Sequence, residues 1–222
     1  MGDPATMLLV GGHAALDFVN TLGGLPDRPD DEYLHGYPDL ITWCRRTDLL
    51  PAAEEPRLIA SGRNDPDEAR RVLASAKEIR AALDGVLRAR LGQQEIPAGD
   101  LGSVGRFFAV AVTRGRLQAS DTGLRWTWPT LSQVDLEAPL WPIAVSAVDL
   151  LDKTALDLLG RCDHCRWLFL DTSRNRTRRW CSMNACGGTD KMRRHRARLR
   201  SAQPTERYPR KSPTPDAEHR QG

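Results

Sequence analysis

Four of the five cysteines in this 222-residue chain fall within a stretch of 25 residues. They form two pairs, Cys162 with Cys165 and Cys181 with Cys186, and fifteen residues separate the pairs. This spacing is typical of a structural zinc site, in which each pair presents two thiolates and the chain between them closes a tetrahedron. Because four protein ligands leave no open coordination position, the pattern predicts a Zn²⁺ that holds a fold and does not catalyse a reaction.

Other uses of the four cysteines are less favoured. Two disulfides would require an oxidising compartment, and the polar residues 1–4 followed by a short apolar run at 7–10 do not form a secretory signal. A redox-active dithiol in the first pair would leave the second pair without a role. His164 or His195 could replace one thiolate as a ligand, but four cysteines make that replacement unnecessary.

Charge is distributed unevenly along the chain. Residues 161–200 carry 12 basic and 3 acidic side chains, a net charge of +9, whereas residues 1–160 carry 16 basic and 23 acidic ones. Eleven of those 12 basic residues are arginines, whose planar guanidinium suits bidentate contacts with phosphate and with guanine. This asymmetry indicates a polyanionic partner for the C-terminal part.

A basic helix is expected to follow the fourth cysteine. A Gly-Gly pair breaks the chain, Thr189 fits the N-cap position, and Asp190 suits the first turn. Met192 and Leu199 share one narrow apolar face, which is expected to pack on the zinc site. A helix exposed only for solubility usually mixes Glu with Lys, but this one has no acid after Asp190. The pattern therefore favours a nucleic-acid-binding face over a merely solvated one.

The expected nucleic-acid contacts lie in the loop between the cysteine pairs and on the helix. They are Arg174, Arg176, Arg178, Arg179, Lys191, Arg193, Arg194, Arg196 and Arg198. DNA is the expected partner. The alternatives are RNA, bound by the same residues, and an acidic protein surface, which includes the chain's own acidic N-terminal part. No catalytic residue is predicted, because the zinc site is closed and no nucleophile with a neighbouring base is present.

A family resemblance rests on the segment Cys-x-x-Cys-x-Trp-Leu-Phe-Leu-Asp-Thr-Ser-Arg-Asn-Arg-x-Arg-Arg-Trp-Cys-Ser-Met-x-x-Cys-Gly and on the later Arg-Arg-His-Arg. From about 161 to 198, the chain resembles the CGNR zinc finger of bacterial stress-induced transcription regulators. The resemblance implies zinc ligands at the four clustered cysteines. The motif that names the family reads Cys-Gly-Gly-Thr here, so Gly188 and Thr189 stand where the family has Asn and Arg.

A second resemblance lies near the N-terminus. Leu-Asp-Phe-Val-Asn-Thr at 16–21 resembles the opening of the ABATE domain, which typically precedes the CGNR finger. A short strand at 7–10 and a helix at 13–22 are expected here. His13, Asp17 and Asn20 are the candidate ligand-binding residues. Asp17 and Asn20 lie one helical turn apart, and such a pair more often caps a neighbouring element.

Hydrophobic patterns predict that the rest of the N-terminal part is mainly helical. Helices are expected at 38–50, 65–91, 101–112 and 140–159, with 51–66 as a connection. Two strands at 116–119 and 124–128 predict a hairpin whose apolar side chains face the core. Cys44 is expected to be a small core residue.

These observations predict an α+β chain in three parts. Residues 1–160 form a mainly helical domain with a small antiparallel hairpin, 161–200 a four-cysteine zinc finger with a basic helix, and 201–222 a disordered tail. Trp167 and Phe169 lie in a short strand that is buried on both sides, so the finger packs on the N-terminal domain.

The function expected is that of a zinc-containing, DNA-binding transcription regulator in the cytoplasm, with reduced thiols. No stretch approaches the ~18 apolar residues of a membrane span, so no membrane partner is expected. The N-terminal domain is expected to sense a small-molecule effector, whose identity is open, or to mediate homodimerisation.

Overall fold

The computed structural model describes residues 2–24, 31–120, 123–128, 135–152, 154–192 and 196. The helices of the N-terminal part lie at α1 (Ala14–Val19), α2 (Tyr37–Arg46), α3 (Glu54–Asn64), α4 (Pro66–Leu91), α5 (Ala98–Arg114) and α6 (Leu140–Leu151). Two antiparallel pairs of strands lie at β1 (Arg116–Ser120) with β2 (Gly123–Thr127) and at β3 (Leu159–Arg161) with β4 (Leu168–Leu170). The predicted class, mainly helical with a small hairpin and a C-terminal cysteine cluster, is confirmed. The predicted tail at 201–222 lies outside the described residues.

The long helix α4 is the centre of the helical domain. Asp65 caps its first turn by accepting a hydrogen bond from the backbone N–H of Glu68 at 3.0 Å, and Pro66 occupies the first helical position. α4 contacts α1, α2, α3, α5 and α6, so these five helices pack around it. Ile79 and Leu83 of α4 are completely buried, as their helical spacing predicted.

Three predictions of local structure were wrong. The connection at 51–66 contains helix α3, because Pro56 falls in the first turn, where backbone N–H groups have no helical partner anyway. Residues 7–10 form no strand. The carbonyl groups of Val10 and of the next residue, Gly11, accept hydrogen bonds from the C-terminal part instead. The helix expected to reach 159 ends at Leu151, and a 3₁₀ helix at Thr154–Leu158 turns the chain into β3.

The hairpin β1–β2 forms with the expected antiparallel pairing, and Trp128 at its end packs against the core, but Leu117 and Leu124 do not. Leu117 is 63% exposed and Leu124 is 75% exposed. The two strands pair only with each other, so among the described residues no third strand covers the ribbon. Trp126 is better covered because its indole packs against Gly115, where an added Cβ would lie 2.3 Å from Nε1.

The C-terminal part packs into the helical domain through β4. The side-chain amide of Asn20 donates to the carbonyl of Leu168 at 2.9 Å and accepts from the N–H of the same residue at 2.8 Å. The backbone N–H of Leu170 donates to Gly11, and the indole of Trp167 donates to Gly23. The predicted burial of β4 is thereby confirmed. No helix in the described part of the chain is long and apolar enough to cross a bilayer.

The glycine in β3 allows this close packing. Gly160 pairs with Phe169, and a Cβ at 160 would lie 2.7 Å from the aromatic ring. The completely buried Phe169 belongs to the same hydrophobic cluster as Phe18 and Trp43 of the helical domain. The cysteine cluster and the helices therefore share one core.

Replacing Asn20 with Ala tests this junction. The variant leaves the buried N–H and C=O of Leu168 without partners, so we expect the free energy of unfolding to fall by about 2–4 kcal/mol. Chemical denaturation measures the change. Asn64→Ala, at the exposed end of α3, is the control and is expected to stay within about 0.5 kcal/mol of the wild type. Equal effects of the two substitutions would contradict the role of Asn20.

Candidate metal centre and the basic face around it

The four clustered cysteines lie in the β3–β4 turn, at the end of the following loop and in a π-helical turn. Cys162 follows β3, and Cys165 lies in the turn before β4, where the N–H of Cys162 bonds to the carbonyl of Trp167 at 3.0 Å. Cys181 ends the loop that links the two pairs. Cys186 lies in a π-helical turn, Met183–Gly187, whose first residues are capped by the hydroxyl of Ser182.

The four sulfur atoms fit a zinc site. They all lie within 4.8 Å of one another, with 3.6 Å between Cys165 and Cys181 and 3.5 Å between Cys181 and Cys186. A tetrahedron with Zn–S bonds of about 2.3 Å has edges of about 3.8 Å, so a Zn²⁺ fits among these atoms. The backbone N–H of His164 donates to the sulfur of Cys162 at 3.4 Å. The separations are far longer than the ~2.05 Å of a disulfide, which removes the disulfide alternative.

The electrostatics of the cluster also favour a cation. Hydrogen bonds from the thiols of Cys165 and Cys181 lower the pKa of Cys162, and the contact with Cys162 raises the pKa of both neighbours. Without a metal, the cluster therefore stabilises one thiolate and disfavours deprotonation of a second cysteine. A dication stabilises all four thiolates together, and the cofactor of this site is a structural zinc.

Of the two alternative histidine ligands, the structure describes only His164, and it does not join the cluster. The only group of three or more potential ligands in the described residues consists of the four cysteines, so His164 is not part of it. His195 lies outside the described residues. The fifth cysteine, Cys44, is completely buried in α2, and burial raises the pKa of its thiol, as expected for a core residue and not for a nucleophile.

A loop between the two pairs carries the first group of predicted nucleic-acid contacts. The carboxylate of Asp171 accepts from the N–H of Ser173 at 2.9 Å and from the N–H of Arg178 at 2.8 Å, which closes the loop at both ends. Sequence reasoning missed this role of Asp171, although Asp followed two residues later by Ser is the signal of an Asx turn. The side chains of Arg174 and Arg176 are exposed on the loop and make no hydrogen bond or ion pair with another described residue.

Arg178 does not belong to the exposed group, which corrects the expectation that it contacts phosphate. Its guanidinium donates to the carbonyls of Trp180 at 3.0 Å, Val10 at 3.1 Å and Cys181. It also lies 4.2 Å from the centre of the Phe169 ring. Arg178 therefore joins the metal centre to the N-terminal segment. Its partner Val10 is 168 residues away in sequence, so the cluster of arginines at 174–179 gave no sign of this role.

Three other predicted contacts are exposed to solvent. Arg179 is 58% exposed on its side chain, but its Nε donates to Asp163 at 2.7 Å, which offsets its charge. Lys191 is exposed on the helical residues 188–192, and Arg196 is exposed further along. Arg193, Arg194 and Arg198 lie outside the described residues.

The helix at the C-terminal end starts earlier than predicted. The Gly-Gly pair does not break it, because the π-helical turn capped by Ser182 runs directly into residues 188–192. Thr189 is not the N-cap, and its hydroxyl donates to the carbonyl of Ala185 at 2.9 Å inside the helix. Asp190 is only 7% exposed, so the acid at this position is turned inward. Met192 is 56% exposed, so it does not form the predicted packed seam.

The three candidate ligand-binding residues of the N-terminal domain have structural partners. His13 caps α1 by accepting from the N–H of Ala15, and its other ring nitrogen lies 3.2 Å from Asp149. The buried Asp17 accepts from the N–H of Gly11 at 2.8 Å, and its burial raises its pKa to about 6. Asn20, at the end of α1, bonds to the backbone of Leu168 in β4. These contacts support the alternative in which the three residues cap neighbouring elements.

Comparison with protein families agrees with this architecture. A family model named ABATE, described as "putative stress-induced transcription regulator", matches residues 12–153. The chain belongs to the ABATE family. A second model, the CGNR zinc finger, matches residues 159–199. No curated protein matches the chain.

The ABATE match ends at residue 153, and the CGNR match begins at 159, where β3 begins. The ABATE domain therefore contains α1 to α6 and the hairpin, and the CGNR finger contains β3, β4 and the four cysteines. The junction described above lies between them, because Asn20 of the ABATE domain bonds to Leu168 of the finger. The chain is therefore a zinc-finger protein of the ABATE family.

Loss of one ligand is expected to remove the metal and to weaken the ABATE domain as well. We expect Cys181→Ser to lose zinc, whose binding contributes roughly 10–16 kcal/mol in zinc-finger peptides, and to lower the melting temperature of the whole chain. Elemental analysis and thermal unfolding measure the two effects. Cys44→Ala is the matched control, because it removes a buried thiol outside the cluster and is expected to retain one zinc per chain. Full zinc content in Cys181→Ser would overturn this assignment.

Proposed function

We propose that the CGNR finger binds duplex DNA and that the protein regulates transcription through this contact. The contact surface, called the basic face below, consists of Arg174, Arg176, Lys191 and Arg196. The observation that carries the proposal is the separation of charges in the finger. Its basic face is exposed, whereas Asp171 and Asp190 are buried and Asp163 is paired with Arg179.

The position of the acids matters because an exposed carboxylate would repel phosphate. Asp171 has its carboxylate in hydrogen bonds with the loop, and these bonds from Ser173 and from the backbone lower its pKa. Its charge therefore stabilises the loop that presents Arg174 and Arg176. Because the loop is already ordered, it loses little conformational entropy on binding, and this preorganisation favours affinity.

The mechanism proposed is contact with the DNA backbone by arginine and lysine side chains. Bound zinc supplies a fixed scaffold for the loop and for the helix that follows Cys186. Phosphate contacts position a protein on DNA without reading its sequence. Gly188 and Thr189 replace the Asn and Arg of the family motif, so the described helix presents fewer groups to the base edges. We therefore propose binding that depends mainly on phosphate and only weakly on sequence.

The basic face is distinct from the arginines that hold the finger on the ABATE domain. Arg178 bonds to Val10, and the carbonyl of Arg166 accepts from Arg88 at 3.1 Å. The guanidinium of Arg166 lies 4.0 Å from Asp84. Docking on the acidic domain therefore uses Arg166 and Arg178 and leaves the basic face exposed. We propose no catalytic activity at the metal, because four thiolates fill its coordination sphere.

Salt-dependent binding tests the proposal. Neutralisation of four phosphates predicts that affinity for duplex DNA falls with log salt at a slope of about −3.6, and Arg174→Ala with Arg176→Ala should make the slope shallower by roughly two units. Fluorescence anisotropy with a labelled duplex measures both slopes. The matched control is Arg70→Ala with Arg71→Ala on α4, since these side chains are 72% and 68% exposed and the charge change is the same.

Arg178→Ala distinguishes a loss of DNA contact from a loss of protein stability in the same experiment. It is expected to lower the melting temperature, because its carbonyl partners belong to both parts of the chain, whereas the Arg174/Arg176 variant keeps the wild-type value. Identical DNA affinity for the Arg174/Arg176 variant and the wild type would contradict the proposal. Tighter binding of single-stranded RNA of the same length than of the duplex would replace DNA with RNA as the partner.

A further inference from the structure

A large cavity lies in the ABATE domain, away from the metal centre. Its volume is about 780 Å³, and its walls come from the α2–α3 connection, the hairpin and α6. None of the four zinc ligands lines it. Small-molecule sites in proteins have volumes of about 300–1,000 Å³, so the cavity is large enough for a ligand. Neither the metal nor the basic face explains its presence.

Aromatic rings form much of the cavity wall. Trp126, Trp128 and Trp141 all line it. The indole N–H of Trp128 donates to the carbonyl of Ala111 at 2.8 Å, which fixes its ring in place. The guanidinium of Arg114 lies 6.0 Å from the centre of the Trp141 ring, so this aromatic wall already has a cation beside it. Tryptophan is the side chain whose ring face attracts cations most strongly.

The charged groups at the cavity are mainly acidic. Among the described residues, four carboxylates line it against one guanidinium, that of Arg45, which is bound to Glu55 at 2.7 Å. The carboxylates are those of Asp48, Glu54, Asp135 and Asp149. Three of them have a basic partner nearby: Arg57 at 3.3 Å from Glu54, Arg114 at 4.0 Å from Asp135, and His13 at 3.2 Å from Asp149. The exposed side chain of Asp48 has no ion pair with a described residue.

We propose that this cavity binds a lipophilic organic cation. Apolar side chains such as Leu58 and Val145 complete the lining and accommodate a hydrocarbon or aromatic body. The tryptophan rings and the excess of carboxylates select positive charge on that body. An anionic ligand would meet four carboxylates and one guanidinium among the described lining residues. The site thus complements an apolar cation in both shape and charge.

Two ions of the same shape and opposite charge test the selectivity. The full-length, zinc-loaded chain is titrated with tetraphenylphosphonium and with tetraphenylborate in a calorimeter. We expect saturable binding of the phosphonium at one site per chain and at least tenfold weaker binding of the borate. Equal affinity for the two ions would show that the cavity selects by shape alone. Equal affinity, or no binding of the phosphonium, overturns the proposal.

Variants of the hairpin locate the bound cation. Trp126→Ala removes a ring from the cavity wall and is expected to weaken phosphonium binding by about tenfold. Leu124→Ala is the matched control, because Leu124 is 75% exposed on the same strand and does not line the cavity. The control is expected to bind like the wild type. An equal effect of the two variants would place the cation elsewhere and contradict the proposed site.

Gly115→Ala tests the position of the Trp126 ring without removing it. The new Cβ would lie 2.3 Å from the indole nitrogen, so the ring must move away from its place in the cavity wall. We expect this variant to retain zinc and its melting temperature but to weaken phosphonium binding as Trp126→Ala does. Wild-type affinity in Gly115→Ala, together with wild-type affinity in Trp126→Ala, would exclude this wall as the binding surface.

Discussion

The paired hydrogen bonds between Asn20 and Leu168 join the two family domains at the level of the backbone. A buried β4 backbone needs partners for its N–H and C=O groups, and the side chain at the end of α1 supplies them within 3 Å. Phe169 then lies in the same core as the helices, and Arg178 covers its ring. The metal holds the chain on both sides of this strand. The finger consequently depends on the helical domain, and the helical domain depends on the finger.

This arrangement divides the arginines of the finger between two uses. Arg178 and Arg166 face the ABATE domain, where carbonyls and carboxylates are available. Arg174 and Arg176 project from a loop that Asp171 closes. Charge alone does not distinguish the two groups, because all four carry the same guanidinium. Their distance from the junction decides which of them remain available to a polyanion.

The sequence predicts local features well and distant contacts poorly. The zinc site could be predicted because ligand spacing is a local property, and α4 because Asp65 and Pro66 mark its first turn. The pattern of the hairpin showed which side chains share a face, but it did not show that Leu124 lies in solvent, since covering depends on other elements. The role of Arg178 and the cavity depend on residues more than 70 positions apart, which no spacing rule connects.

Hydrogen exchange with and without zinc tests the central claim that the finger and the helical domain form one cooperative unit. Zinc is removed with a chelator, and amide protection is followed along the chain by mass spectrometry. We expect α1, Ala14–Val19, to lose protection together with β4, because Asn20 at the end of α1 bonds to Leu168. Loss of protection confined to residues 159–192, with α1 unchanged, would contradict the account.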